Sequence, residues 1–451
     1  MLGIKNFLTK IGIDRAIFFV LLHRGSGSIS SFITLLLITQ FLTPIEQGYY
    51  YTFASILGLQ IIFELGFGTV LIQFVSHEMV GVRITKDAIS GNKENLARLY
   101  YIISLAIKWY FFVSAGVLLV VSPLGYVFFS TSIMDSLPTL TWLFPWLFLV
   151  LSASLSLLIT PMLSIAEGCG FVAQVAKMRL FQTLTAALFA WLMLLSGIGL
   201  YASAASAFAT FAVGALWIQR HFYHVIKAAI QCPDKSQQGN LWKDEILPMQ
   251  WRIAVSWLSG YFIFNLFNPV AFRFFGAKFA GQLGLSLSII TLMSGISLSW
   301  FMTKVPTFGR LIADNRRADL EHIYQQTFKH SLLFLCLVGV TAIAVLYLLN
   351  YEEFQLAQRF IEPSVFILLV LTALGNHIIA CQATYVRAHK VEKYLPNAIL
   401  SAISMSVGLA VVVLLKLPAE YIVVSYFIAI WFICTPHGIW TYRKFKSPRR
   451  D

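Results

Sequence analysis

Charge is what this 451-residue chain has least of: Asp, Glu, Lys and Arg make up 12% of it, against 58% hydrophobic residues. Soluble domains carry about a quarter charged residues, so a mean hydropathy of +0.76 excludes a soluble enzyme or binding module. Cysteine is scarce as well. Cys169, Cys232, Cys336, Cys381 and Cys434 are scattered without ligand-like spacing, which excludes a disulfide framework and a zinc site. The chain has no P-loop, no H-E-x-x-H and no dinucleotide fingerprint. Nothing in it argues for an ATPase, a metal or a cofactor.

Long apolar runs are what it has in abundance. Read as spanning helices of about 20 residues, they number twelve, near 16–42, 48–75, 99–123, 138–165, 174–196, 199–219, 249–273, 280–303, 328–349, 361–385, 394–416 and 420–441. An all-α polytopic membrane protein is expected. The basic leader MLGIKNFLTKIGIDR is followed by no small-residue cleavage site, so the first run is expected to stay as an uncleaved span.

The net charge of +13 raises nucleic acid as a partner, and its distribution answers the question. Alternate connections starting from the N-terminus hold most of the cations, for example Lys5, Lys10 and Arg15, then Arg83, Lys86, Lys93 and Arg98, and finally Arg443 to Arg450. The opposite connections hold only Arg273, Lys278, Arg359 and Lys416. The positive-inside rule then puts both termini in the cytoplasm. The basic excess reads as topology, with no nucleic acid partner.

The polar stretch after the sixth run divides the chain into an N-terminal lobe 1–220, a cytoplasmic linker 221–247 and a C-terminal lobe 248–451. FLTPIEQGYYYTFASILGLQ lies over FFGAKFAGQLGLSLSIITLM with Gly48 on Gly281, and NKENLARLY lies over NRRADLEHIY with one gap. Six spans per half give both halves one orientation, a parallel pseudo-repeat about the membrane normal with a cavity expected at the lobe interface. Span six, YASAASAFATFAVGALW, is built for close helix packing. Pro145, Pro161 and Pro269 each free a backbone carbonyl, as structural bends or as gating kinks.

A charge in the bilayer core is costly unless paired, wetted or neutralised, and so is a functional-site candidate by default. Arg24, Glu64 and Lys108 all fall at a depth of about 14–17 Å by helical rise. Glu64 could be the counter-ion of either cation, leaving one positive charge in excess. Two readings stay open: an ionic clasp between spans one to three, or a surplus cation facing an anionic substrate, with Glu64 orienting it or carrying a coupling proton. Gln60 lies one turn before Glu64 on the same face. In the second half Arg252 either snorkels at the start of span seven or enters the cavity. Asn265, Asn268 and His377 are polar cavity candidates, with Asn376 and His377 otherwise an interhelical hydrogen-bond pair. Arg273 and Lys278 are either rim charges or phosphate contacts. Tyr49, Tyr50 and Tyr51 fit an interfacial aromatic belt, with sugar stacking as the sharper alternative.

FLTPIEQGYYYTFASILGLQIIFELGFGTVLIQFVSHE, SIAEGCGFVAQVAKMRLFQ, ILPMQWRIAVSWLSGYFIF and TYVRAHKVEKYLPN together resemble the bacterial polysaccharide transporters. These are the O-antigen flippase-like branch of the multidrug/oligosaccharidyl-lipid/polysaccharide (MOP) exporter superfamily. The resemblance runs over nearly the whole chain. It implies a MATE-like pair of six-helix bundles in the bacterial inner membrane, around a cation-lined cavity that opens alternately to either side. The cargo it implies is an undecaprenyl-pyrophosphate-linked oligosaccharide, such as an O-antigen or another unit of lipopolysaccharide or surface polysaccharide. A polymerase and glycosyltransferases would be its partners in polysaccharide biosynthesis. By analogy Arg24, Lys108 and Arg252 would line the cavity, where a pyrophosphate takes charge-assisted hydrogen bonds.

Two other readings compete. A small-molecule exporter of the same fold, coupled to protons or sodium, would favour an acidic cavity, whereas the surplus here is basic. A membrane polymerase or ligase typically carries catalytic residues on a large external loop. The connections expected outside the membrane are short, so the protein is expected not to be an enzyme.

Overall fold

The turn after the first span shows how locally the sequence sets its structure. In Thr43-Pro44-Ile45-Glu46 the Thr43 backbone N–H donates to Glu46 Oε2 (2.8 Å) while the Glu46 N–H donates to Thr43 Oγ1 (3.2 Å). This reciprocal capping box, with Pro44 at the first helical position, ends one helix and starts the next.

The computed structural model describes residues 15–84, 89–132, 136–231, 247–389 and 391–446, without the side chains of 15–17, 248, 249, 252, 253 and 256. In chain order the helices are α1 (Arg15–Phe41), α2 (Pro44–Leu57), α3 (Gln60–Glu64) and α4 (Phe67–Glu78), then α5 (Lys93–Gly116) and α6 (Ser122–Ser130). Next come α7 (Thr139–Gly168), α8 (Val172–Leu195), α9 (Ala202–His221), α10 (Tyr223–Gln231), α11 (Leu247–Phe264), α12 (Phe267–Phe275) and α13 (Ala277–Met302). The chain closes with α14 (Val305–Ala313), α15 (Arg317–Tyr351), α16 (Pro363–Ala388), α17 (Leu395–Leu414), α18 (Tyr421–Ile428) and α19 (Thr435–Lys446). The protein is an all-α multi-pass membrane protein. Among the described residues the one β-sheet is a two-stranded antiparallel ribbon pairing Val82–Ile84 with Ile89–Gly91.

Among the described residues, ten helical stretches are long and apolar enough to cross a membrane, or eleven if α2–α3 and α4, bent at 41°, form one span. Twelve were expected. The expected span 249–273 contains two helices, α11 and α12, separated at Asn265-Leu266. Pro269 has no N–H to return to the Asn265 carbonyl, so the helical ladder lapses there. Two other prolines act more mildly. A π-turn, Val117–Val121, precedes Ser122-Pro123, and a second, Ala429–Cys434, precedes Thr435-Pro436. Widening the turn keeps the proline ring off the carbonyl four residues back. Carbonyls beside these prolines take side-chain donors, Trp146 Nε1 to Ser122 O (3.1 Å) and Asn397 Nδ2 to Cys434 O (2.8 Å), although neither is the carbonyl four residues back. Pro145 and Pro161 leave α7 continuous.

By contacts the chain forms two compact units. The first comprises Met1–Leu42, Ile56–Thr131 and Leu137–Leu258. In it, α1 is fixed to α8 by Trp191 Nε1 donating to Thr34 Oγ1 (2.9 Å) and by a hydrogen bond between Thr183 Oγ1 and His23 Nδ1 (3.0 Å). The small residues of α9 allow close approach: a Cβ at Gly214 would lie 2.4 Å from Ile159 Cδ1. Residues 232–246, most of the expected linker, lie outside the described residues, and α10 occupies its start.

The second unit comprises Thr43–Ser55, Ser132–Ser136 and Ser259–Asp451, so most of α2 packs with the later helices. Gly48 faces Ala277 and Gly281, and Gly284 faces Tyr51. Buried Gln47 donates to the carbonyls of Gly281 (2.8 Å) and Arg359 (3.1 Å). At another end of this unit Phe301, Phe308, Tyr324, Tyr385 and Tyr394 build an aromatic core.

Candidate functional site

Glu64 is the last residue of α3, and the chain there leaves the helical path twice in succession. Leu65 has φ 53° and Gly66 φ 67°. Gly adopts this left-handed region freely, whereas Leu does so only under strain of order 1–3 kcal/mol that its surroundings must hold. Broken backbone at membrane depth must find partners inside the protein. Here Gln250 Nε2, on α11, donates to the freed Leu65 carbonyl at 2.7 Å. Gln250 is itself buried, and its Oε1 has no hydrogen-bond partner among the described residues.

The Glu64 carboxylate is half-buried beside this break, and Tyr110 OH donates to its Oε1 at 3.0 Å. Tyr110 is fully buried and stacks on Phe67, with ring centroids 6.2 Å apart. Gly68 explains how the groups converge. A Cβ at that position would lie 3.1 Å from Ser164 Oγ, 3.6 Å from Tyr110 OH and 3.8 Å from Glu64 Oε1. A carboxylate, a phenol and a hydroxyl thus gather over a bare Cα on three neighbouring helices.

The two expected counter-ions are elsewhere. Arg24 and Lys108 are both exposed, and among the described residues neither forms an ion pair with Glu64. Lys108 and Tyr110 are two residues apart on α5, about 200° around the helix. That helix can offer Glu64 only one of them, and it offers the phenol. Gln60 opens α3 half-buried, with no hydrogen bond to Glu64. Tyr110, Ser164 and Gln250 were not singled out from sequence. Counting faces as well as depth on α5 would have found Tyr110.

The second-half candidates fall on four helices, α11, α12, α13 and α16, and on the break between α11 and α12. Arg252 belongs to α11, but its side chain lies outside the described residues. Asn265 sits at the break between α11 and α12, half-buried, and Asn268 is buried with its Oδ1 unpartnered among the described residues. Arg273 is exposed in the last turn of α12. Lys278 lines a polar cavity of about 310 Å³ with Gln282, Gln358, Glu362 and Glu420. Nearby Arg359 is pulled below arginine's ordinary pKa by burial, opposed by Glu46. His377 is a core residue, 3% exposed, with Nε2 3.0 Å from Ser331 Oγ. Asn376 turns to a different helix and donates to Tyr426 OH (2.9 Å). No group of three metal-ligating side chains occurs among the described residues.

No family model and no curated protein sequence matches the chain. Solved structures do. The MATE multidrug transporter DinF-BH, in a ligand complex, aligns with a TM-score of 0.63 at 14% identity, covering 95% of this chain and 94% of its own. An inward-facing multidrug resistance MATE family transporter of the MOP superfamily gives 0.62 at 17% identity, covering 92% and 99%. The lipid II flippase MurJ, in an inward closed conformation, gives 0.60 at 14% identity, covering 95% and 87%. The chain has the fold these proteins share.

Proposed function

We propose that this protein is a flippase of the MOP superfamily, rather than an enzyme. Its cargo would be an undecaprenyl-pyrophosphate-linked oligosaccharide, carried from the inner to the outer leaflet of the bacterial cytoplasmic membrane by alternating access. The lobes 1–220 and 248–451 would be the moving halves, with both termini in the cytoplasm and a polysaccharide polymerase and glycosyltransferases acting on either side of the step. The shared fold supports transport in general, since one neighbour is a lipid II flippase and others are multidrug transporters.

The observation that carries the cargo class is the pair Arg24 and Lys108. Both are exposed on membrane-crossing helices and without an ion pair among the described residues. An unpaired cation in hydrocarbon costs roughly 2.5–3.5 kcal/mol or more, so these two need water or an anion. A pyrophosphate meets that need, and its polyprenyl tail can stay in lipid. Arg252 and Arg273 would extend the cationic path in the second half.

The test is the leaflet distribution of the lipid-linked oligosaccharide in cells depleted of the protein, read with a membrane-impermeant glycan probe. Accumulation on the inner face, reversed by wild type but not by a stably expressed Arg24→Ala variant, is expected. An unchanged distribution, in cells with no redundant flippase, overturns the reading.

One observation favours a second reading, a small-molecule exporter coupled to protons or sodium. Glu64, hydrogen-bonded by Tyr110 at a helix break, has the make-up of a carboxylate that gains and loses a proton. Altered dye efflux with an unchanged glycan distribution would select it.

A further inference from the structure

The turn 196–201 joins α8 to α9, so the Val172 end of α8 lies beside the His221 end of α9. Between these ends the two helices leave a groove of about 480 Å³, lined by Lys177, Phe181, Leu216, Trp217, Arg220 and His221 among others. That volume is within the range of about 300–1,000 Å³ found for small-molecule sites. Positions 177 and 181 on one helix, and 216, 217, 220 and 221 on the other, are spaced to share a face. The groove is therefore a continuous strip rather than a set of scattered gaps.

Its chemistry is divided along its length. One end holds Lys177, Arg220 and His221, all exposed, and among the described residues no carboxylate lines the groove. Neither Lys177 nor Arg220 forms an ion pair among the described residues, whereas nearby Arg179 is already bound to Glu167 at 2.9 Å. Lys177 lays its stem along the groove, with Nζ 5.8 Å from the Phe181 ring centroid. Trp217 stacks on His221, centroids 5.3 Å apart and planes 18° from parallel. Such amphipathic rings settle at the level of lipid headgroups. Beyond that level Phe181 and Leu216 are exposed on helices long and apolar enough to cross the membrane, so their open side faces acyl chains.

We propose that this groove binds an anionic glycerophospholipid. Its phosphodiester sits between Lys177 and Arg220, and one acyl chain runs along Phe181 and Leu216. Charge complementarity selects an anion, since basic pockets between spanning helices recognise anionic headgroups. The site is separate from the Glu64 cluster and does not depend on the cargo assigned above.

Trp217 supplies a built-in reporter. The full-length protein is placed in phosphatidylcholine nanodiscs doped with phosphatidylglycerol brominated on its acyl chains, or with phosphatidylcholine brominated in the same way. Subtracting the Trp217→Phe variant isolates the quenching of Trp217 from that of the other tryptophans. Brominated phosphatidylglycerol is expected to quench Trp217 at a lower mole fraction than brominated phosphatidylcholine, by roughly fivefold for each engaged cation. The preference should disappear in Lys177→Gln/Arg220→Gln and survive in Lys177→Arg. Equal quenching by the two lipids, or an unchanged preference in the double Gln variant, overturns the proposal. So does displacement by undecaprenyl phosphate at mole fractions where unbrominated phosphatidylglycerol does not compete, which would give the groove to the cargo's tail.

Discussion

Gly48 and Gly281, the pair that the internal repeat lays one over the other, meet backbone to backbone: a Cβ on Gly281 would lie 2.8 Å from Gly48 N. On the other side, a Cβ on Gly48 would lie 2.0 Å from the Ala277 carbonyl oxygen. In lipid, helices gain nothing from excluding water and hold together by close packing. Gly48→Ala and Gly281→Ala are therefore expected to destabilise the second unit by about 1–3 kcal/mol or more, as overpacking does. Gly25, on α1, has nothing within 4 Å of a built Cβ. Gly25→Ala should be neutral, or stabilising by about 0.5–1 kcal/mol through helix propensity. Thermal unfolding of the purified variants in detergent checks the contrast, and equal shifts for Gly48 and Gly25 would refute the packing argument.

The hydrogen bond from Tyr110 to Glu64 makes separable predictions for charge and for structure. Tyr110→Phe leaves a half-buried carboxylate without its donor and should cost about 1.5–3 kcal/mol. Glu64→Gln keeps an acceptor for the phenol, so the fold should persist with little change in unfolding temperature. If the carboxylate carries the coupling proton, transport is lost in Glu64→Gln although the protein still reaches the membrane. Transport at the wild-type level in that variant would leave Glu64 a purely structural group at the helix break.

An ionic clasp and a free cation predict different couplings between Arg24 and Glu64. A clasp gives an interaction energy of about 0.5–3 kcal/mol in a double-mutant cycle, whereas residues without shared partners add within about 0.3–0.5 kcal/mol. The exposed Arg24, with no ion pair to Glu64, predicts additivity for the stability of Arg24→Ala and Glu64→Gln, and likewise for Lys108→Ala and Glu64→Gln. Each cation variant should instead lower transport of an anionic cargo with little loss of stability. A coupling above about 1 kcal/mol would restore the clasp.

The membrane spans were legible in the sequence because each is a long apolar run, a property that survives any arrangement of neighbours. Breaks were harder to see. Pro269 marked a freed carbonyl, but whether the helix would bend or separate depended on what surrounded Asn265. Pro123 and Pro436 gave no sign that the preceding turns would widen to π geometry instead of breaking. The ribbon at 82–91 is too short to stand out beside the apolar periodicity around it. Depth along a helix follows from counting, and counting is what set Arg24, Glu64 and Lys108 at one level. Rotation about the helix decides partners, and there the fully buried Tyr110, rather than the exposed Lys108, took the carboxylate. The Ser164 hydroxyl and the Gln250 donor come from distant segments, and only the tertiary fold brings them to the break.

The C-terminal helix α19 ends in a cation held by aromatic rings. Lys446 Nζ lies 5.0 Å from the Tyr442 ring centroid, 5.8 Å from that of Tyr385 and 5.9 Å from that of Tyr324, and pairs with Glu321 at 2.5 Å. The side chain keeps 34% of its exposure, so solvent screens the ion pair, and the rings supply most of the attraction. Lys446→Ala is expected to cost about 1–2 kcal/mol, and Lys446→Arg to retain most of that stability, since guanidinium also stacks on aromatic faces. Lys446→Met separates the two contributions, because it keeps an apolar stem against the rings without the charge. A loss in Met equal to that in Ala assigns the stability to the cation. A Met variant as stable as wild type shows instead that the stem's packing holds α19 against α15 and α16.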